Sequence, residues 1–254
     1  MKLEKRTVLI TGGTSGIGLE MAAQLLQRGN AVLVTGRDPE KLAAAKRALP
    51  SVHIYQSDVS DPQAITALYG RVTADFPALD TLINNAGIMR NLNLNHDRAL
   101  TDVTREIEIN LCGPVRMVQQ FLPHLKSRPD ALIVNVSSGL AFIPLPMSPV
   151  YCAAKAALHS FTQSLRFQLD GTNVTVVELA PPGVETPLFR GEFAEETKGQ
   201  KAMDAAVLVK QAIAGMEAGQ GEIRPGLSNV LKTMSRVAPA FMFKQMSQMG
   251  KPKT

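Results

Sequence analysis

The chain has 254 residues, 45% hydrophobic and 19% charged, which excludes a disordered chain and suits one large buried core. Its net charge is +5, but the lysines and arginines are scattered, so the excess reads as solvation and not as a nucleic-acid footprint. Two cysteines, Cys112 and Cys152, exclude a disulfide framework and fit a reducing compartment.

The opening MKLEKRTVLITGG passes from a short charged lead into an apolar run and glycines, without the h-region and cleavage site of a signal peptide. No apolar stretch is long enough to span a bilayer, so the expected location is cytoplasmic. Thr7–Thr11 predicts a strand and Ile17–Arg28 a helix, stopped by Gly29-Asn30. Ala31–Thr35 predicts a second strand. Asp38–Ala48 predicts a helix, with Asp38 as N-cap and Pro39 in the first helical position. Val52–Gln56 is a strand, Pro62–Ala74 a helix and Leu79–Asn84 a strand. A long helical region covers Asp97–Lys126. Ala131–Val136 is a strand, Pro149–Leu169 a helix and Val174–Leu179 a strand.

Strands alternating with helices mean βαβ units and a parallel sheet, and their continuous apolar runs mean helices on both faces. After Ala180 the pattern loosens. A polar, glycine-punctuated stretch, about 184–205, reads as a flexible substrate flap. Met203–Ala218 is helical again, and 219–226 holds a turn with one short strand. An apolar C-terminal extension, about 222–254, is rich in methionine and broken at Pro239. Within it Leu227, Leu231, Met234, Val237 and Phe241 recur at helical spacing and predict a face packed on the core or on another subunit. A lid over a hydrophobic substrate and a membrane-surface helix are the other readings of that face.

Between the first strand and helix lies Thr11-Gly-Gly-Thr-Ser-Gly-Ile-Gly18. Glycines there permit a tight turn and close approach of backbone to ligand, and a helix N-terminus offers free N–H groups to a pyrophosphate. Its bland reading is a turn that needs positive φ. Tyr151 and Lys155, four apart on a helix, share one face and can enter one cleft. A nearby ammonium favours the phenolate and should lower the tyrosine pKa, which makes a usable acid or base.

The glycine spacing, with Gly12, Gly16 and Gly18, resembles that of the short-chain dehydrogenase/reductase family. So do Asn84-Asn85-Ala86-Gly87 after the fourth strand, Asn110 on the next helical segment, Ser138 after the fifth strand, Tyr151-x-x-x-Lys155, and Pro182-Gly183 with Thr186 after the sixth strand. These motifs stand in the family's order over about 7–186. The resemblance implies an α/β fold: one Rossmann-like, doubly wound parallel sheet with helices on both faces, in a single domain over 1–254. It implies a catalytic tetrad of Asn110, Ser138, Tyr151 and Lys155, with Ser137 as a competitor for the serine role. It also implies hydride transfer between a nicotinamide and a carbonyl or alcohol carbon. Lys155 would also contact the nicotinamide ribose. Cofactor contacts are expected from Gly12, Thr14, Ser15, Gly16, Ile17 and Gly18, from Asp58 and Val59, and from Asn85, Ala86 and Gly87. Tyr151, Lys155, Pro182, Gly183 and Thr186 complete that expected set.

Gly36 stands where the family's NAD-selecting aspartate usually stands, and Arg37 after it could clamp a 2′-phosphate. NADP(H) is therefore expected over NAD(H). The alternative leaves Arg37 solvated and puts NAD ribose on Asp38. Glu178-Leu-Ala-Pro-Pro-Gly183 departs from the family, which often has asparagine where Glu178 stands. That segment, with APPGVETPL and the C-terminal stretch, resembles a DltE-like subgroup of bacterial oxidoreductases. The histidines show no metal-ligand spacing, and no metal is assigned. The uncharged run Leu140–Val150 beside Tyr151 points to a hydrophobic small-molecule carbonyl or alcohol. The family resemblance implies a homodimer or homotetramer with the helix bearing Tyr151 in the interface, and no nucleic-acid partner or integral membrane segment is expected. A non-catalytic NADP(H)-binding redox sensor and an NAD-dependent alcohol dehydrogenase are the alternatives.

Overall fold

A computed structural model describes residues 2–199 and 201–248. Gln200 of the predicted flap and residues 249–254 of the predicted extension lie outside the described residues. The chain runs β1 (Thr7–Thr11), α1 (Gly16–Gln27), β2 (Ala31–Gly36), α2 (Pro39–Ala48), β3 (His53–Gln56), α3 (Pro62–Asp75) and β4 (Thr81–Asn84). Two short helices follow, α4 (Leu100–Val103) and α5 (Arg105–Ile107), then a π-helical turn (Glu108–Cys112) and α6 (Gly113–Lys126). Next come β5 (Ala131–Val136), a 3₁₀ turn (Gly139–Ala141), α7 (Pro149–Gln168) and β6 (Val174–Leu179). The chain ends with α8 (Pro187–Arg190), α9 (Ala205–Glu217), β7 (Glu222–Ile223), α10 (Leu227–Val237) and α11 (Pro239–Met246).

All seven strands pair in parallel, in the order β3-β2-β1-β4-β5-β6-β7. The order reverses between β1 and β4, and such a reversal opens a crevice at the carboxyl ends of the strands. Side chains alternate across the sheet. Val8 and Ile10 of β1, with Val32 and Val34 of β2, pack against Met21 and Leu25 of α1 and Leu208 and Ala212 of α9. Leu9 and Leu33 face the other way, toward Leu68 of α3, Phe121 of α6 and Leu165 of α7. Two-sided burial explains why these strands carry unbroken apolar runs.

Caps set the helix starts. The Asp38 carboxylate accepts from Glu40 N at 2.9 Å and Lys41 N at 3.2 Å, ahead of Pro39. Asp61 and Asp204 do the same for α3 and α9. The predicted helix over 97–126 is instead several pieces. The π turn widens the ladder at Asn110, whose side chain is bonded to Ile88 and not to its own helix.

The predicted tail stripe also differs. Leu231 is buried, but Leu227, Val237 and Phe241 are exposed. The inward face carries Ser228, Leu231, Met242 and Met246. Lys232 fixes this rotation by pairing with Glu222 of β7. Ser228 packs over Gly139, where an added Cβ would lie 2.8 Å from its hydroxyl. Pro239 then begins a separate helix and resets the phase.

Phe121 is fully buried beneath the sheet, edge-on to Tyr69 with ring centroids 5.2 Å apart. Phe121→Ala is expected to lower unfolding free energy by about 3–5 kcal/mol, measured by urea titration.

Candidate active site

The glycine loop between β1 and α1 is shaped for close approach. Gly12 and Gly16 have φ of +65° and +52°, which other residues rarely adopt. Thr11 Oγ1 accepts from Asn85 N at 3.0 Å and Ala86 N at 3.1 Å, tying this loop to the end of β4. Asn85 Nδ2 donates to the carbonyls of Thr11 and Gly12, each at 3.0 Å. Above these turns lies a cleft of about 340 Å³ at the reversal of strand order.

Of the residues expected to contact a cofactor, Gly12, Thr14, Ser15, Gly16, Ile17, Arg37, Asp58, Val59, Asn85, Ala86, Gly87, Tyr151, Lys155 and Thr186 line this cleft. Gly18, Pro182 and Gly183 do not line it. Gly18 is instead a packing residue: an added Cβ would lie 2.4 Å from Gly12 O and 2.5 Å from Asn85 Nδ2. Pro182 and Gly183 line a second pocket. Sequence reasoning missed Lys41, which joins Arg37 at the same end of the cleft. Its signal is its place in the first turn of a helix that starts just after Arg37. An acidic side chain at Gly36 would meet Thr14, whose Cγ2 lies 2.8 Å from an added Cβ. Asp38 borders the cleft too, though one oxygen of its carboxylate caps α2. Burial acts to raise the Asp58 carboxyl, but hydrogen bonds from Ser60 and the charges of Arg37 and Arg105 outweigh it and hold the group below its usual range.

The second pocket, of about 290 Å³, lies against the first. Its walls are mostly apolar, with Met89, Leu145, Met147 and Met246 packed around one cluster and Phe189 and Met203 also lining it. Helix α8 and the Val184–Met203 bridge supply part of it from the predicted flap. Leu227 and Met246 bring the tail helices to its rim. Tyr151 lines both spaces and stands at their junction.

The four residues expected to be catalytic converge there. Tyr151 and Lys155 are buried on the same face of α7, with Lys155 Nζ 5.8 Å from the tyrosine ring centroid. Lys155 Nζ donates to Val136 O at 2.8 Å. Ser138, at the end of β5, faces the Tyr151 hydroxyl closely enough to favour its ionised form, and accepts from Leu140 N at 3.1 Å. Ser137 points elsewhere, donating its hydroxyl proton to Glu178. Asn110 Oδ1 accepts from Ile88 N at 3.0 Å, and Asn110 Nδ2 donates to Ile88 O at 2.8 Å. Asn110 and Lys155 flank Gly87, where an added Cβ would lie 2.9 Å from Asn110 Oδ1 and 3.7 Å from Lys155 Nζ.

Electrostatics depart from expectation in one respect. Burial pushes the Tyr151 phenol well above its ordinary range; Ser138 opposes this, while Cys152 and Glu106 add to it. The same burial destabilises the Lys155 ammonium and pulls its pKa down to about 8. The Tyr151 phenol is therefore neutral. Burial also raises the Cys152 thiol to about 11, which leaves it unreactive. Elsewhere His159, Glu178 and Glu222 bring ligand-type atoms within 4.8 Å of one another. Lys232 and Arg224 already pair with Glu222 there.

A family pattern described as short chain dehydrogenase matches residues 6–197. The chain belongs to that family. It is 42% identical over 248 residues to an uncharacterized oxidoreductase, DltE, of Bacillus subtilis, covering 97% of this chain and 98% of the relative. The chain is thus a DltE-like family member. Two solved structures share its fold. A short chain dehydrogenase from Burkholderia cenocepacia in complex with NADP has a TM-score of 0.83 at 24% identity, covering 99% of this chain and 100% of that one. A short chain dehydrogenase/reductase from Burkholderia phymatum in complex with NAD has a TM-score of 0.84 at 20% identity, covering 100% and 99%. No helix among the described residues is long and apolar enough to cross a membrane.

Glycines at two sites of this short chain dehydrogenase separate packing from propensity. Gly18→Ala is expected to destabilise the fold by about 1–3 kcal/mol through overpacking. Gly70→Ala, inside α3 where an added Cβ meets nothing, is expected to stabilise it by about 0.5–1 kcal/mol. Thermal unfolding of both variants tests the contrast.

Proposed function

We propose that the chain is an NADP(H)-dependent reductase of hydrophobic ketones or aldehydes, able to oxidise the corresponding alcohols. The observation that carries this reading is the place of Tyr151, on the wall between a polar cleft floored by glycine backbone and an apolar pocket. A carbonyl group presented from the apolar side meets the phenol at that wall.

A nicotinamide dinucleotide as ligand is supported by the glycine-loop backbone at a helix N-terminus that floors the cleft and by the two cations that line it, Arg37 and Lys41. When bound, the cofactor supplies or accepts the hydride. Gly12 to Ile17 would hold the pyrophosphate at the N-terminus of α1. Arg37 and Lys41 would hold a 2′-phosphate, with no carboxylate at Gly36 and the Asp38 carboxylate engaged in capping α2. Ser138 would orient the substrate oxygen. Tyr151 would donate its proton to that oxygen as negative charge develops. Lys155 would stabilise the resulting phenolate through its ammonium. The methionine-lined pocket supports an apolar substrate of irregular shape. Assembly as a homodimer or homotetramer through α7 is what the family resemblance implies.

NADPH oxidation against a panel of aliphatic, aromatic and quinone carbonyls tests the reading, with NADH in parallel. Turnover is expected with NADPH, and Tyr151→Phe should reduce it by about 10²–10⁴-fold. Arg37→Ala should weaken NADPH binding by about 1.5–3 kcal/mol and leave NADH unchanged. A wild-type preference for NADH would sink the cofactor assignment.

The proton needed on Lys155 sets the pH dependence. Its charge is present below about 8 and lost above it, so kcat/KM for reduction should be level below that pH and fall as pH rises through it. A rate that instead increases across that interval would contradict the role given to the ammonium.

A further inference from the structure

Glu178 occupies a position where the mechanism above asks for nothing. It is fully buried at the end of β6, opposite Asn135 in the parallel register. A buried carboxylate is costly unless it is hydrogen-bonded or paired. Ser137 donates to its Oε1, and His159 Nδ1 lies 2.7 Å from its Oε2. Both partners are neighbours of the proposed chemistry. Ser137 lies between Val136, whose carbonyl accepts from Lys155 Nζ, and Ser138. His159 follows Lys155 by one helical turn on the same side of α7. The acid is therefore held by the residue that follows Val136 and by the residue one turn after Lys155.

We propose that Glu178 is a positioning residue: its carboxylate, locked between Ser137 and His159, is the counter-charge that keeps the buried Lys155 in its ammonium form. This deepens the reductase reading, because only a charged Lys155 can stabilise a Tyr151 phenolate. Burial acts to strip the proton from Lys155, and Glu178 is the charge that opposes it. Helix α7 thus supplies the cation, and β6 supplies the anion that makes the cation tenable.

Other charged groups frame this pair. Tyr151 shares the helix of Lys155, and Glu106 of α5 acts on Tyr151. Around Glu178 stand His159 of α7 and Glu222 of β7, the latter paired with Arg224 and with Lys232 of α10. His159 Nε2 faces Gln163 Nε2 at 3.2 Å, toward the exposed side of α7. Glu222 has its own cations in Lys232 and Arg224.

Lys155 can be titrated directly by NMR of the chain labelled with [ε-13C]lysine, its resonance assigned by loss in Lys155→Arg. Glu178→Gln keeps the volume and removes the charge. Glu178→Asn places there the residue that the wider family often carries, and supplies a second neutral variant. In either variant the Lys155 midpoint is expected to fall by about one unit. The alkaline limb of NADPH-dependent reduction should move down with it. Glu178→Asp, which keeps the charge, should stay near wild type. An unmoved midpoint in a folded neutral variant would overturn the inference, even if turnover dropped. A shifted midpoint in a chain whose wild type turns over no carbonyl would uphold the pairing and refute the reductase reading.

Discussion

The reversal of strand order between β1 and β4 governs the rest of the molecule. A parallel sheet buried on both faces hides nearly all of its side chains, so reactive groups can emerge only at strand ends. The glycine loop after β1, Arg37 after β2, Asp58 after β3, Asn85 after β4 and Ser138 after β5 all emerge at that same edge. Helix α7 then crosses the edge and lays Tyr151 and Lys155 along it. The two cores on either side of the sheet hold this edge still.

Burial is also what tunes the edge. The same desolvation that keeps Tyr151 protonated weakens the ammonium of Lys155. A site of this kind needs a tyrosine that is dry and a lysine that is charged, and dryness works against the lysine. One carbonyl, Val136 O, and one carboxylate, Glu178, stand on the lysine's side. Ser137 and His159 hold that carboxylate in turn.

Much of this is legible in the sequence because it rests on local rules. Asp38-Pro39 marks the start of α2, β-branched runs mark the strands, and Gly12 to Gly18 mark the turn that only glycine permits. The joint order of motifs brings out Asn110, Ser138, Tyr151 and Lys155, none of which would stand out alone. What stays hidden depends on side-chain facing. Gly18 packs instead of lining the cleft, because its missing Cβ makes room for Gly12 O and Asn85 Nδ2. The tail departs from its apolar stripe because one ion pair, Lys232 with Glu222, and the break at Pro239 decide the rotation, and periodicity contains neither. In the sequence Glu178 reads as a lost asparagine; its partners Ser137 and His159 are distant along the chain and meet it only in the fold.

The tail helices carry a wider consequence. The family pattern ends at residue 197, yet Met203, Leu227 and Met246 help wall the apolar pocket. Lys232 moors α10 to the last strand of the sheet, and Leu231 closes over Gly139 beside Ser138. On the proposed reading, part of the wall that would choose the substrate thus lies beyond the stretch that carries Ser138, Tyr151 and Lys155. Exchanging the closing segment would reshape one wall of that pocket and leave Ser138, Tyr151 and Lys155 where they stand.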